Sequence, residues 1–252
     1  MANIVAVLNQ KGGVGKTTTA INLAAYLAKA GHSVLVVDSD PQGNTTSGLG
    51  LDKQTLSSTL YDVLFSRAEA GSTTQKISSK LFILPSNANL AGAEVELVNL
   101  PSRELMLRQA LANLNYDYIF IDCPPSLGLL TVNALAAANS VLIPVQAEYY
   151  ALEGLSQLLS VIQQVRQALN PGLDILGVLI TLYDSRNSLS DQVRKELENH
   201  FGAKLFKTIV PRNVRLAEAP SFGKTIIEHD KWSKGARAYK ALAHEVEKRT
   251  LG

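Results

Sequence analysis

The sequence lacks the features that define several classes of protein. It contains one cysteine, Cys123, which excludes an intrachain disulfide framework and fits a reducing compartment. No apolar run reaches the roughly 18 residues that a membrane-spanning helix needs. No basic stretch precedes the first apolar residues, as a signal peptide would require. The sequence therefore predicts a cytoplasmic protein that is not inserted in a membrane.

Charged residues are also sparse, at 18% of the 252 positions, whereas 46% are hydrophobic. That balance is typical of a globular protein and not of a disordered one. The length suits one large α/β domain with a well-buried core. We therefore expect a single domain over residues 1–252.

The few charges are unevenly distributed along the chain. Residues 1–185 contain 10 Lys and Arg against 14 Asp and Glu, a net charge of −4, whereas residues 186–252 contain 14 against 8, a net charge of +6. A basic C-terminal part on a near-neutral body indicates an anionic partner such as nucleic acid. An unevenly charged but solvated surface is the alternative.

Short β-branched runs alternate with longer helical patterns along the chain. Several of the runs are apolar on both faces, as buried parallel strands are. This alternation predicts a mostly parallel, twisted β-sheet flanked by helices on both faces. The predicted strands are Ile4–Asn9, Ser33–Asp38, Leu81–Pro85, Tyr118–Asp122, Ser140–Val145, Ile175–Thr181 and Lys204–Val210. The predicted helices are Lys16–Ala30, Ala91–Asn113, Leu152–Leu169, Ser190–Phe201 and Gly235–Arg249. Within the irregular segment 50–80, residues 68–75 are expected to form a surface loop.

The stretch NQKGGVGKTTTA, residues 9–20, predicts a phosphate-binding loop between the first strand and the first helix. The usual pattern is Gly, four free positions and then Gly-Lys-Ser/Thr, but Gln10 stands where the first glycine belongs. Glycines let backbone N–H groups converge on phosphate oxygens, and a helix N-terminus adds its positive dipole end. Lys16 would neutralise the β- and γ-phosphates, and the Thr17 hydroxyl would bind Mg²⁺. The loop residues expected to bind nucleotide are Lys11, Gly12, Gly13, Val14, Gly15, Lys16, Thr17 and Thr18.

Acidic residues follow two of the predicted strands, where the ligand crevice of a parallel sheet lies. Asp38 and Asp40 follow the second strand, and Asp122 ends the strand YIFID. We expect Asp122 to hold Mg²⁺ through a water and Asp40 to position the attacking water. A turn before Pro41 is the alternative role of Asp38 and Asp40. The absence of an Asn-Lys-x-Asp tetrapeptide favours ATP over GTP.

These stretches together resemble the ParA/Soj family of partition ATPases, relatives of MinD and of the nitrogenase iron protein. KGGVGKTTTA is similar to the deviant Walker A loop of that superfamily. The blocks DSDPQGN, IDCPPSLGLLTVNAL, PVQAEYYALEGL and VPRNVRLAEAPSFGK are similar to those of chromosomal ParA proteins. The resemblance covers nearly the whole chain and weakens across residues 50–80.

The resemblance implies ATP and Mg²⁺ as cofactors and gives roles to individual residues. Lys11 would reach across a dimer interface to the phosphates of the ATP held by the other subunit, although contact with only its own nucleotide stays open. Asp40 would be the hydrolytic acid, with Lys11 and Lys16 as the other catalytic residues. The roles at the remaining positions would be the α-phosphate for Thr18, the metal for Thr17, Asp38 and Asp122, and adenine for Pro211 and Asn213.

The resemblance also implies partners. The family binds duplex DNA without sequence preference as an ATP-bound homodimer on the nucleoid, and a ParB/Spo0J-like centromere-binding protein stimulates its slow hydrolysis. We expect DNA contacts from Arg194, Arg215, Lys224 and Lys234. The wider set of candidates also includes Arg186, Lys195, Lys231, Arg237 and Lys240.

Three other functions are weighed against this one. A membrane-associated division regulator like MinD would need a bulky apolar face on its C-terminal helix, but that face is here mostly alanine. A reductase like the iron protein would need two cysteines, and only Cys123 is present. A small-molecule phosphotransferase or ligase would leave Lys11 unexplained.

Overall fold

A seven-stranded sheet forms the centre of the computed structural model, which describes residues 2–148 and 151–251. The strand order is β3-β4-β2-β5-β1-β6-β7, and all neighbouring pairs are parallel except β3 with β4. The predicted fold class is confirmed. The strands are β1 (Asn3–Val7), β2 (Val34–Asp38), β3 (Gln75–Lys76), β4 (Leu81–Leu84), β5 (Tyr118–Asp122), β6 (Ser140–Gln146) and β7 (Asp174–Thr181).

Helices cover both faces of the sheet. They are α1 (Lys16–Ala30), α2 (Asn44–Gly48), α3 (Leu60–Leu64), α4 (Ala70–Thr73), α5 (Leu90–Glu96), α6 (Met106–Leu111), α7 (Leu129–Ala137), α8 (Ala151–Ala168), α9 (Ser188–Phe201), α10 (Val214–Glu218), α11 (Ile226–Asp230) and α12 (Lys234–Leu251). Short 3₁₀ turns lie at Leu97–Asn99, Gly202–Lys204 and Ala219–Phe222. Within the described residues, none of the helices is long and apolar enough to cross a membrane.

Two apolar cores lie on opposite faces of the sheet because successive strand residues point to opposite sides. In β2, Val34 and Val36 join the core under α1 and α12, whereas Leu35 and Val37 join the core under α3 and α5 to α9. Strands buried on both sides read as continuous apolar runs, which is why the sequence predicted them well.

The predicted strand Lys204–Val210 is wrong. That segment lies beside β7 but makes only isolated bridges, Val178 with Leu205 and Tyr183 with Pro211. The N–H groups of Lys207 and Thr208 donate instead to the Glu245 carboxylate on α12, at 2.8 and 3.0 Å. A distant side chain therefore takes the donors that a continuous strand ladder would use.

The single helix predicted over Ala91–Asn113 is also wrong. It is divided into α5, a 3₁₀ turn and α6, and Pro101 follows the 3₁₀ turn. Proline has no N–H and disfavours helical backbone in the residue before it. Residues 68–75, expected to be a loop, contain α4 and the first residue of β3. Tyr149 and Tyr150, in the block PVQAEYYALEGL, lie outside the described residues.

A register shift in the β6–β7 pair places a glycine against a crowded surface. Ile175 pairs with Val141, but Gly177 pairs with Leu142, so β7 has one extra residue there. A Cβ at Gly177 would lie 2.6 Å from a ring atom of Phe206 and 2.7 Å from the carbonyl oxygen of Lys204. The close approach of the two chain segments therefore requires glycine.

We expect Gly177→Ala to lower the free energy of unfolding by about 1–3 kcal/mol, because the added methyl group overpacks the site. Urea denaturation measures this. The matched control is Gly154→Ala in α8, where a Cβ has no neighbour within 4 Å; it should raise stability by up to about 1 kcal/mol, since alanine favours helix. Equal effects of the two substitutions would contradict the crowding at Gly177.

Candidate functional site

The glycine-rich loop connects β1 to α1 through two residues in left-handed backbone. Gly13 has φ 75° and Gly15 has φ 85°, conformations that favour glycine. Gly15 is also the N-cap of α1 and has no side chain to shield the N–H groups of the first turn. This exposed N-terminus of a 15-residue helix is suited to an anion.

Lys16 supplies a positive charge at the same place. Its side chain is only 7% exposed, and its Nζ donates to the backbone oxygen of Lys11 at 3.2 Å. Burial lowers the pKa of Lys16, although the nearby Asp122, Cys123 and Asp40 act in the opposite direction. Among the described residues Lys16 forms no ion pair, so its charge is available to a ligand.

Only one of the two carboxylate oxygens of Asp122, at the end of β5, is hydrogen-bonded. Its Oδ2 accepts from the hydroxyls of Thr17 and Thr45, at 2.7 Å each, whereas its buried Oδ1 has no hydrogen-bond partner. Burial raises the pKa of Asp122 to about 6 despite these two hydrogen bonds. An unsatisfied buried carboxylate oxygen beside Thr17 fits a hydrated cation such as Mg²⁺, which keeps several waters and binds few protein groups.

Few carboxylates stand close enough to complete such a site alone. No group of three or more His, Cys, Asp and Glu side chains that could hold a metal ion occurs in the part of the chain that the structure describes. A cation here would therefore need ligands from Thr17, water and the phosphates of a bound nucleotide. That requirement agrees with the chemistry of Mg²⁺ in nucleotide sites.

Asp38 is a fully buried neighbour of Asp122 in the sheet register. Its Oδ2 accepts from the N–H and the hydroxyl of Thr46, at 2.8 and 2.6 Å, and its Oδ1 accepts from the N–H of Asp40 at 3.3 Å. Burial, followed by the charge of Asp122, raises the pKa of Asp38 to about 7. These contacts tie the end of β2 to α2, and a role of Asp38 in metal binding stays a prediction.

Lys11 points away from the loop that carries it. Its side chain is 49% exposed, and its Nζ forms an ion pair with Glu148, just beyond β6. Gln146 donates to the other oxygen of Glu148. The amine of Lys11 is therefore held by Glu148, and its contact with a phosphate stays a prediction.

A cavity of about 520 Å³ opens above the loop and brings distant parts of the sequence together. Gly12, Gly13, Gly15, Lys16, Thr17, Thr18 and Asp40 line one part of it, and Pro211 and Asn213 line another. Asn213 is also the N-cap of α10, where its Oδ1 accepts from the N–H of Leu216 at 3.3 Å. The volume suits a drug-sized ligand.

The structure adds wall residues that the sequence analysis did not identify: Thr181, Leu182, Val210, Leu216 and Tyr239. Thr181 ends β7, so its position at a strand end was a usable signal. Its hydroxyl donates to the carbonyl of Val14 at 2.7 Å, which fixes the loop from outside. Val14 is itself buried and supports the loop from below. Thr45, whose hydroxyl donates to Asp122, lies in α2 and not at a strand end, so its position in the sequence did not indicate a site residue.

The residues expected to contact DNA differ in their charge environment. Arg194 is paired with Glu198 at 3.1 Å, and Arg215 with Glu218 at 2.9 Å and Asp230 at 3.7 Å. Lys224 and Lys234 are exposed and form no ion pair within residues 2–148 and 151–251. DNA contact at all four positions stays a prediction.

The parallel sheet, the glycine loop that leads from β1 into α1, and the Thr17–Asp122 contact define the chain as a P-loop nucleoside triphosphatase fold. Residues 2–175 match the family model described as an AAA domain. The sporulation initiation inhibitor protein Soj of Bacillus subtilis is 54% identical over 249 residues, 98% of each chain. The chromosome-partitioning ATPase Soj of Thermus thermophilus is 54% identical, over 96% of this chain and 94% of its own.

The chain therefore belongs to the ParA/Soj family of chromosome-partitioning P-loop ATPases, and the resemblance found in the sequence is confirmed. The crystal structure of cobyrinic acid a,c-diamide synthase from Mycobacterium smegmatis, with bound ADP and magnesium, has a TM-score of 0.89 and 38% identity. The alignment covers 100% of this chain and 96% of that one.

The buried Asp38 generates a prediction for the protein without metal or nucleotide. Because its pKa is raised in the folded state, its contribution to stability is complete below pH of about 4 and is lost as the pH rises towards 7. The Asn side chain of Asp38→Asn does not ionise, so the variant does not lose this stability as the pH rises. The stability of the variant relative to the parent should increase by roughly 1–4 kcal/mol between pH 4 and pH 8.

Urea denaturation at the two pH values measures this difference. Asp52→Asn is the matched control, since Asp52 is exposed on the surface and Asn keeps its acceptor for the N–H of Gln54. The change between the two pH values should be larger for Asp38→Asn than for this control. A relative stability of Asp38→Asn that falls between pH 4 and pH 8 would show that the ionised carboxylate is the stabilised form.

Proposed function

We propose that this chain is an ATP-dependent DNA-segregation ATPase that works on the nucleoid in the cytoplasm. ATP with Mg²⁺ binds in the 520 Å³ cavity and drives formation of a sandwich homodimer. The dimer binds duplex DNA without sequence preference. Slow hydrolysis to ADP and phosphate, stimulated by a ParB/Spo0J-like centromere-binding protein, then releases it.

The observation that carries the proposal is the unpaired, buried charge of Lys16 next to the free N-terminus of α1. A buried ammonium without a carboxylate partner is costly unless a ligand supplies the negative charge. The β- and γ-phosphates of ATP supply it, and the loop N–H groups complete their hydrogen bonds. Thr18, in the same first turn, is close to where the α-phosphate would lie.

The other residues of the cavity act on the two ends of the nucleotide. Mg²⁺, when bound, would be held by Thr17 and by Asp122 through water, with Asp38 supporting Asp122, and would offset the charge of the phosphates. Asp40 lines the cavity beside the loop, where its carboxylate can orient the water that attacks the γ-phosphate. Pro211 and Asn213, which also line the cavity, pack against and hydrogen-bond the adenine.

Dimerisation follows from the position of Lys11. Its side chain is half exposed beside Glu148, where the facing surface of a second subunit would lie. Exchange of Glu148 for the phosphates of the partner's nucleotide would replace an exposed ion pair, which contributes little, by contacts with a highly charged group. The same exchange makes the dimer depend on ATP.

The last helix argues against a membrane anchor. The apolar side chains of α12 that a bilayer would need, among them Tyr239, Leu242 and Val246, are buried against the sheet and α1. Insertion into a lipid surface would require α12 to leave that core. The division-regulator alternative is therefore the weaker one.

Gly12 allows a direct test of the facing subunit. A Cβ at Gly12 meets nothing within 4 Å in this chain, and its backbone has no left-handed φ. We therefore expect Gly12→Val to fold and still to bind ATP but to stay monomeric, because the branched side chain meets no atom of this chain and would lie in the path of an approaching subunit. Light scattering with ATP·Mg²⁺ measures the dimer, and Gly154→Val, in α8, is the control. A Gly12→Val dimer would contradict the proposed interface.

DNA binding tests the proposal as a whole. Binding to a duplex of random sequence should be strong with ATP·Mg²⁺ and weak with ADP·Mg²⁺. It should also fall steeply between low and moderate salt, since lysine contacts with phosphates release counterions. Fluorescence anisotropy of a labelled duplex measures this. Absence of binding with either nucleotide would overturn the DNA-segregation function and leave only a nucleotide site.

A further inference from the structure

A second cavity, of about 440 Å³, lies between α1, α12 and the turn that joins α11 to α12. We call it the tryptophan pocket and define it by Tyr26, Lys29, Lys231, Trp232 and Lys240. Lys29 is thirteen positions beyond Lys16 on α1, and a helix rises 1.5 Å per residue, so the pocket lies about 20 Å along α1 from the phosphate loop. It is therefore separate from the nucleotide cavity.

The charge of the tryptophan pocket is positive and not neutralised. Lys29, Lys231 and Lys240 are exposed, and none of them forms an ion pair within the described ranges. The one carboxylate in the pocket, Glu247, is shared by His32 at 2.8 Å and His244 at 3.3 Å. The three ammonium groups are therefore free for an anionic partner.

Four of the six arginines of the same basic region are already paired with carboxylates. The pairs are Arg186 with Asp184 at 2.7 Å, Arg194 with Glu198, Arg215 with Glu218 and Asp230, and Arg249 with Glu245. A guanidinium that already has carboxylate partners must give up those contacts before it can bind a phosphate. Within the described residues the unpaired charge of residues 186–252 is thus carried by most of its lysines and by Arg212 and Arg237. Three unpaired lysines line this one pocket when Lys29 of α1 is included.

Trp232 adds a large apolar contact surface at the centre of these charges. Its side chain is 78% exposed, and Lys231 Nζ lies 5.2 Å from its ring centroid. The turn that carries it is ordered, since the N–H of Trp232 and the hydroxyl of Ser233 both donate to Asp230, at 3.0 and 2.9 Å. An exposed indole on an ordered turn, ringed by lysines, indicates a binding surface.

We propose that the tryptophan pocket is a docking site for the sugar–phosphate backbone of duplex DNA, an inference that rests on the proposed DNA binding. The ammonium groups of Lys29, Lys231 and Lys240 contact phosphate oxygens of one strand, and the indole of Trp232 packs against deoxyribose. Charge complementarity selects this partner. Flexible lysines bind phosphates as point charges and do not read bases, which matches binding without sequence preference.

The sole tryptophan of the chain provides a direct readout. Because Trp232 is the only one, intrinsic tryptophan fluorescence reports on this pocket alone. The full chain, saturated with ATP·Mg²⁺, is titrated with a labelled duplex of random sequence while anisotropy follows binding. We expect the Trp232 emission to change in parallel with the anisotropy. Binding with unchanged emission overturns the pocket but not the proposed function, whereas no binding overturns both.

Charge substitutions locate the contact. Lys29→Ala with Lys240→Ala should weaken DNA binding roughly fivefold. It should also reduce the slope of log affinity against log salt by about one for each lysine removed. Lys76→Ala is the matched control for Lys29→Ala and should change neither quantity, since Lys76 is an exposed lysine on the edge strand β3 that forms no ion pair with any described residue. Equal effects of Lys29→Ala and Lys76→Ala would overturn the pocket as a specific contact.

Two further measurements test the indole contact and the identity of the anion. Trp232→Phe should keep most of the affinity and Trp232→Ala should lose it severalfold, with ATP binding and circular dichroism unchanged in both. Equal affinity of the two variants would overturn the aromatic contact. A poly-glutamate peptide is the competing anion: if it changes Trp232 emission at lower concentration than the duplex does, the pocket is a site for acidic protein and not for DNA.

Discussion

The carboxylate of Asp122 is the point on which the arrangement of the site depends. It ends the central strand β5 and accepts from Thr17 on α1 and from Thr45 on α2 through one oxygen. The backbone oxygen of the same residue accepts from the N–H of Ser39 at 2.9 Å. One buried residue thus joins the phosphate loop helix, the segment after β2 and the centre of the sheet. A ligand that engages its free oxygen would act on all three at once.

Local chemistry decided which parts of this fold the sequence predicted. The β1–loop–α1 unit was found because glycine spacing and a strand next to a helix are short-range signals. The wrong predictions have two causes. Glu245, which is distant in the sequence, accepts from the N–H groups of Lys207 and Thr208 that a strand ladder would use. Pro101 interrupts a helical pattern. In the site, Pro211 and Asn213 were identified only through family resemblance. Thr45 was missed because the sequence does not distinguish a threonine whose hydroxyl binds a buried carboxylate from any other threonine.

The structure also changes the meaning of the charge count. A net charge of +6 over residues 186–252 suggests a uniformly basic surface. In the folded chain four of its arginines form ion pairs with nearby carboxylates, and in three of these pairs the carboxylate is three or four positions away on the same helix. Most of its lysines form no ion pair within the described residues, Lys204 with Asp174 being the exception, because their flexible side chains extend into water. The place where a basic protein binds an anion therefore depends on which of its Lys and Arg side chains lack a carboxylate partner. A count of charged residues does not show which ones those are.

The packing of α12 on α1 has a consequence for how the chain is made. Thr19 and Tyr239, whose hydroxyls lie 3.1 Å apart, are separated by 220 positions. At the usual 5–20 residues per second, a ribosome needs about 10–45 seconds to reach the second after the first. For that interval the face of α1 that α12 later covers has no partner within the nascent chain. Alanines at positions 20, 24 and 25 limit the apolar area of α1, which lowers the hazard of aggregation during synthesis.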